Sequence, residues 1–182
     1  MRLFVALKLP RDMRHALAAL MGGIEGARWQ GEGQLHISLR FIGEVDDHIA
    51  KDIIGALGSI YHEPVSVKLH GVDIFGKPRT PRILWAGVEH NAGLEGLHES
   101  INQALRTVGV EDERRKFVPH ITLARFTKHK RVRRIPEYLE AYSGFRLPPF
   151  DVDEFYLFRS HLGHGGASYE ILETFALNKP YT

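Results

Sequence analysis

The sequence contains no cysteine, which removes disulfides, thiolate metal sites and a cysteine nucleophile from consideration and fits a reducing compartment. Long apolar runs are missing as well. The opening stretch MRLFVALKLPRDMRH is broken by Lys8 and Pro10, too short for a signal-peptide core or a membrane span, so a cytoplasmic protein without membrane contact is expected. Charge of one sign is not in excess. The 24 Lys and Arg against 22 Asp and Glu give a net charge of +2, which neither demands nor excludes a nucleic-acid partner. No stretch reads as a linker or a low-complexity tract. With 43% hydrophobic residues, the 182-residue chain can build one sizeable core, or two small lobes sharing one, but not two ordinary domains.

The hydrophobic pattern predicts strands at 2–9, 35–42, 65–75 (with a glycine interruption), 83–89, 118–126, 150–161 and 168–177, the last two joined by the glycine-rich turn LGHGG. Helices are expected from Pro10 to about Met21, from Asp46 and Asp47 through Ile49, Ile53, Leu57 and Ile60, and along the stripe Leu94, Leu97, Ile101, Leu105 and Val108. Several strands lack a crossover helix between them. An α+β fold with largely antiparallel pairing is therefore favoured over a doubly wound parallel sheet.

Two strands echo each other. LHISLRF at 35–41 and PHITLARF at 119–126 each end a strand-helix-strand unit, with their histidines 84 residues apart, which suggests two related lobes facing each other. Alternate side chains of a strand share a face, so His36 and Ser38 project together, with Arg40 continuing the same polar face, while Leu35, Ile37 and Leu39 turn inward. The same parity joins His120 to Thr122. Each strand then offers an imidazole and a hydroxyl about 7 Å apart, a spacing able to grip a phosphate. Two imidazoles facing one cleft suit in-line displacement at phosphorus, one taking a proton from the attacking oxygen and the other giving one to the leaving oxygen. At an unperturbed pKa near 6.5 each is roughly a quarter protonated at pH 7, so one charged and one neutral ring is a readily populated state.

The segments RLFVALKLP, LHISLRFIGEV, PRILWAGV, FVPHITLARF and LFRSHLGHGGASYEIL, in that order and spread over nearly the whole chain, resemble the 2H phosphoesterases. Within that group they are similar to the RNA 2′,3′-cyclic phosphodiesterases, also called 2′-5′ RNA ligases. The resemblance implies a single bilobal α+β domain over residues 1–182, with a pseudo-twofold, a central cleft and helices outside. It implies metal-independent hydrolysis of a 2′,3′-cyclic phosphate to a 2′-phosphate, on RNA ends or small cyclic nucleotides, without a cofactor and by a monomer. By motif position His36 and His120 are the catalytic pair, and Ser38 and Thr122 the phosphate-binding hydroxyls. His120 takes the part of the base that activates water, and His36 that of the acid that protonates the departing 3′-oxygen. Phe41 and Arg125, fifth after each histidine, correspond to nucleotide-contacting positions. Strict alternation sets Arg125 on the face opposite His120, with Ala124 in the slot that Arg40 fills in the first copy. Either the strand ends or bulges near Ala124, or Arg125 lies outside the cleft. Two alternatives to hydrolysis stay open: the reverse chemistry, 2′-5′ ligation, and a nucleotide- or RNA-binding module without turnover, against which the complete set of both histidines and both hydroxyls argues.

Other signals are weaker. GVDIFGKP at 71–78 has the spacing of a phosphate loop, but Pro78 stands where Ser or Thr must hold magnesium, leaving a turn or a substrate-side loop. His161 and His164 have metal-pair spacing without a second ligand cluster; their segment borders the cleft in the family, which allows substrate contact. KHKRVRR at 128–134 carries five Lys or Arg in seven residues, either a solvated loop or a surface that steers RNA phosphates. Trp29 and Trp85 are expected to pack, or to stack on a base. His15, His48, His62, His70, His90 and His98 read as surface or structural.

Overall fold

A computed structural model describes residues 1–177. Strand β1 (Arg2–Lys8) leads to helix α1 (Arg11–Ala18), the short strand β2 (Arg28–Trp29) and strand β3 (His36–Glu44). Helix α2 (Asp47–Gly58), strands β4 (Val65–Val67), β5 (Leu69–Lys77) and β6 (Thr80–Val88), and helix α3 (Ala92–Thr107) follow. The chain continues through β7 (His120–Arg125), α4 (Ile135–Ala141), β8 (Phe150–Val152), β9 (Glu154–Gly163) and β10 (Gly166–Ala176). Two four-stranded sheets, in the orders β10-β9-β1-β3 and β2-β7-β6-β5, carry the two histidine strands, and β4 pairs with β8 apart from them. All described strand pairs are antiparallel, as the expected α+β class requires. Among the described residues no helix is long and apolar enough to cross a membrane.

Burial explains the layout. In β1 the residues Leu3, Val5 and Leu7 enter the main core, while Phe4 and Ala6 face the other way into a smaller cluster with Phe158, Tyr156 and Tyr169. Such a strand, covered on both faces, reads as the near-continuous apolar run RLFVALK. On α3, Leu94, Leu97, Ile101 and Leu105 form one fully buried stripe, and Asn91 caps the helix by accepting from the Leu94 N–H at 3.0 Å. Helix α3 packs against α2 and approaches β3.

Four expectations change. The run at 150–161 is two strands, β8 and β9, divided at Asp153, with β8 paired to β4. The run at 65–75 is two strands, β4 and β5, divided at Lys68, and the glycine interruption is real: Gly71 takes φ +68° where the β5–β6 register shifts. Strand β2 and helix α4 were not anticipated. Two residues of β2 and seven of α4 are too short to show a period, and Pro136 in the first turn of α4 reads as a breaker although that position tolerates proline.

Candidate active site

β3 is the edge strand of its sheet and runs against β7 of the other, so the two motifs meet. The local anchoring is the same in both. His36 donates from Nδ1 to the Gln34 carbonyl at 2.6 Å, and His120 donates from Nδ1 to the Val118 carbonyl at 2.6 Å. A carbonyl only accepts, so Nδ1 carries the proton in each ring and Nε2 is the atom left for chemistry. The Ser38 hydroxyl lies 3.0 Å from His36 Nε2.

Aromatic rings hold each imidazole from behind. His36 lies 5.2 Å from both Phe4 and Tyr169, and His120 lies 4.9 Å from Phe75 and 5.7 Å from Trp85. Trp85 is paired across the strands with Thr122, and the slot opposite His120 is filled by Gly87. Any side chain at Gly87 would come within 2.5 Å of the His70 carbonyl oxygen, so only glycine lets β6 lie this close to β5. The GVDIFGKP stretch is part of the β5–β6 hairpin, and through Phe75 it supports His120.

The parity puzzle is resolved by a bulge in each strand. Ser38 pairs with Ala6 but Arg40 with Val5, and Thr122 pairs with Trp85 but Ala124 with Leu84, leaving Leu39 and Leu123 as the extra residues. One extra residue inverts every later side chain. Phe41 and Arg125 therefore come to the cleft side, both exposed, whereas Ala124 is buried. Arg40 does not continue the polar face of His36 and Ser38, as alternation predicted. It is 2% exposed, turned inward beside α3, where Nε donates to Asn102 Oδ1 at 2.9 Å and Nη1 to the Phe41 carbonyl at 3.0 Å. Nη2 donates to the Glu111 carbonyl, and Glu113 lies 3.7 Å from Nη1.

The cleft itself encloses about 640 Å³, walled by His36, Ser38, Phe41, Arg28, Arg125 and the β9–β10 hairpin around His164. His120 and Thr122, on the same strand as Arg125, do not line this volume. Arg28 was missed in the sequence. It stands directly across from Arg125 in the β2–β7 pair, and among the described residues neither guanidinium meets a carboxylate. Like charges facing each other across a ladder cost stability, and an anion between them offsets the cost. Trp29 lines the same wall, half-buried. His161 bonds through Nε2 to Glu170 Oε2 at 2.8 Å, and among the described residues no group of three or more His, Asp or Glu is placed to hold a metal.

Electrostatics tie the motifs together. Burial lowers the pKa of both imidazoles from the ordinary 6.5; the Gln34 and Val118 carbonyls oppose this, and Arg125 lowers both further. The charge of His120 also lowers His36. Activity that needs one neutral and one protonated ring follows a bell centred between the two values, so kcat/KM, which reports the free enzyme, should peak below pH 6.5. Arg125→Gln removes a cause that lowers both, so both limbs should move to higher pH whatever happens to the height. A bell that stays in place would show that Arg125 does not act on the two rings.

Comparison with known proteins defines the class. The family model described as the 2′-5′ RNA ligase superfamily matches residues 15–164, and the chain belongs to that family. A relative from Methanocaldococcus jannaschii named RNA 2′,3′-cyclic phosphodiesterase is 27% identical over 175 residues, covering 95% of this chain and 99% of its own. A crystal structure of a Thermus thermophilus protein matches with a TM-score of 0.80 at 27% identity, covering 97% of this chain and 98% of the other. The crystal structure of E. coli LigT complexed with 3′-AMP matches with a TM-score of 0.76 at 26% identity, over 98% of both chains.

Proposed function

We propose that this chain is an RNA 2′,3′-cyclic phosphodiesterase that opens the cyclic phosphate to a 2′-phosphate by acid–base catalysis between His36 and His120. The observation that carries the reading is the matched anchoring: two neighbouring strands each hold a histidine by Nδ1 and leave Nε2 for chemistry, beside the facing guanidiniums of Arg28 and Arg125. One Nε2 accepts a proton from water as the water oxygen bonds to phosphorus. The other Nε2–H protonates the 3′-oxygen as its bond to phosphorus breaks. In this scheme His120 is the base and His36 the acid. Ser38 and Thr122 donate to the non-bridging oxygens, while Arg125 and Arg28 stabilise the charge that builds up on them. Phe41 offers its ring to the nucleotide.

All these groups come from one chain, so a monomer suffices, working as one bilobal domain; the absence of cysteine fits the cytoplasm. The imidazoles move the protons and the guanidiniums supply the positive charge, so the scheme needs no metal. Matched anchoring also serves 2′-5′ ligation, in which a 5′-hydroxyl replaces water as the attacking group, the 3′-oxygen again leaves and a 2′-5′ linkage forms.

The test is turnover of a 2′,3′-cyclic mononucleotide in excess chelator, with the product isomer identified. A 2′-phosphate formed at the same rate with and without chelator is expected. A 3′-phosphate, or loss of turnover with chelator, would contradict the mechanism. No turnover under any condition would leave the binding-module reading.

A further inference from the structure

A second cavity, of about 310 Å³, lies beyond the cleft, between the turn at Glu25 and Gly26 and the segment that follows β7. Thr127, Lys130, Arg131 and Arg133 stand on its walls. Crowding five Lys or Arg into residues 128–134 costs self-repulsion, yet the backbone holds them in place. The Lys130 N–H donates to the Thr127 carbonyl at 3.2 Å, closing a turn, and the Val132 N–H donates to the Arg79 carbonyl at 2.9 Å, tying the segment to the β5–β6 hairpin. The Val132 side chain packs on the main core. His129 and Arg134 take left-handed backbone, with φ 62° and 68°, which costs about 1 kcal/mol or more for each. Lys130, Arg131 and Arg133 are left exposed, and among the described residues no carboxylate forms an ion pair with them, including Glu25 in the same cavity.

The two cavities are connected through one hydrogen bond. Arg28, on the cleft wall, donates from Nη1 to Thr127 Oγ1 at 3.0 Å, and Thr127 belongs to the second cavity. A line of cationic and hydroxyl groups thus runs from Arg125 through Arg28 and Thr127 to Lys130, Arg131 and Arg133. We infer that this second cavity is a backbone-phosphate subsite for single-stranded RNA, engaged by the nucleotides that precede a cyclic-phosphate end and left empty by a free cyclic mononucleotide. The inference rests on the cyclic-phosphate reading above. A cyclic phosphate closes the 3′ end of a strand, and the strand leaves that end with one phosphate per nucleotide. A mononucleotide has nothing to place beyond Arg28. A continuous track of positive charge leaving the reacting site fits a continuous polyanion better than the scattered carboxylates of a folded acidic protein.

The test compares wild type with the triple variant Lys130→Gln, Arg131→Gln, Arg133→Gln, on a 2′,3′-cyclic mononucleotide and on a short single-stranded RNA ending in a 2′,3′-cyclic phosphate. On the RNA, the triple variant should lose about tenfold in kcat/KM at low salt. Its log–log salt slope should be shallower by about 2, from three phosphate contacts at roughly 0.7 each. On the mononucleotide it should stay within about twofold of wild type. Equal losses on both substrates, or no loss on RNA, would overturn the subsite. If wild type turns over neither the mononucleotide nor the RNA, the cyclic-phosphate reading itself fails. The subsite is then judged by fluorescence anisotropy with a 3′-phosphate-ended RNA, where unchanged binding by the triple variant would overturn it.

Discussion

His36→Ala and His120→Ala should each lower kcat/KM on a 2′,3′-cyclic nucleotide by about 10²- to 10⁴-fold, the range that one positioned acid or base supplies. The two rings work on one transition state, so the double variant should lose little more than either single one. Both rings also pack on aromatic neighbours, and their removal leaves space beside Phe4 and Tyr169 in one case and Phe75 and Trp85 in the other. Asparagine separates the two roles. Its side-chain amide can still donate to the Gln34 or Val118 carbonyl but offers no group in place of Nε2. His36→Asn and His120→Asn should therefore fold like wild type by circular dichroism and still lose activity on the same scale. Either asparagine variant retaining near-normal turnover would refute the two-imidazole mechanism.

Arg40→Ala should destabilise the protein by about 3 kcal/mol in denaturant unfolding, because it leaves a cavity where a buried side chain stood and strips three partly buried acceptors of their donor. The guanidinium serves Asn102, the Phe41 carbonyl and the Glu111 carbonyl at once, with Glu113 alongside. It thereby ties β3 to α3 and to the segment that leads into β7. In the same region Asn102 lies 3.4 Å from His98 Nε2, and His98 stacks on Phe117 with ring centres 3.9 Å apart. Phe117 directly precedes Val118, whose carbonyl holds His120. Arg40→Lys keeps the charge but cannot reach three acceptors with one ammonium, so it should fall between alanine and wild type. A loss of substrate affinity with unchanged stability would instead make Arg40 a substrate contact.

The doubled motif made most of the candidate site legible. Histidine and hydroxyl two residues apart on a strand, repeated with Ile and Leu in matching slots, singled out His36, Ser38, His120 and Thr122, and the longer strands could be placed along the chain from aliphatic density and turns. What could not be read depended on pairing. Neither bulge has a local signature, since Leu39 and Leu123 look like ordinary inward residues until their partners on β1 and β6 are known. Arg28 acquires its meaning only from Arg125 across the ladder, and GARWQG carries no strand pattern of its own. Phe4, Phe75 and Tyr169 read as core or strand residues, and only the fold turns them toward an imidazole.

The bulges at Leu39 and Leu123 make the two halves of each motif differently vulnerable to change in the gene. A substitution at either leucine alters one side chain. Loss of that single codon would remove the bulge and leave Ser38, Arg40 and Phe41, or Thr122, Ala124 and Arg125, alternating regularly on the faces they already take. The stretch from histidine to hydroxyl has no such slack, since loss of Ile37 or Ile121 would put the imidazole and the hydroxyl on opposite faces. Length is therefore fixed in the first half of each motif and adjustable by one residue in the second.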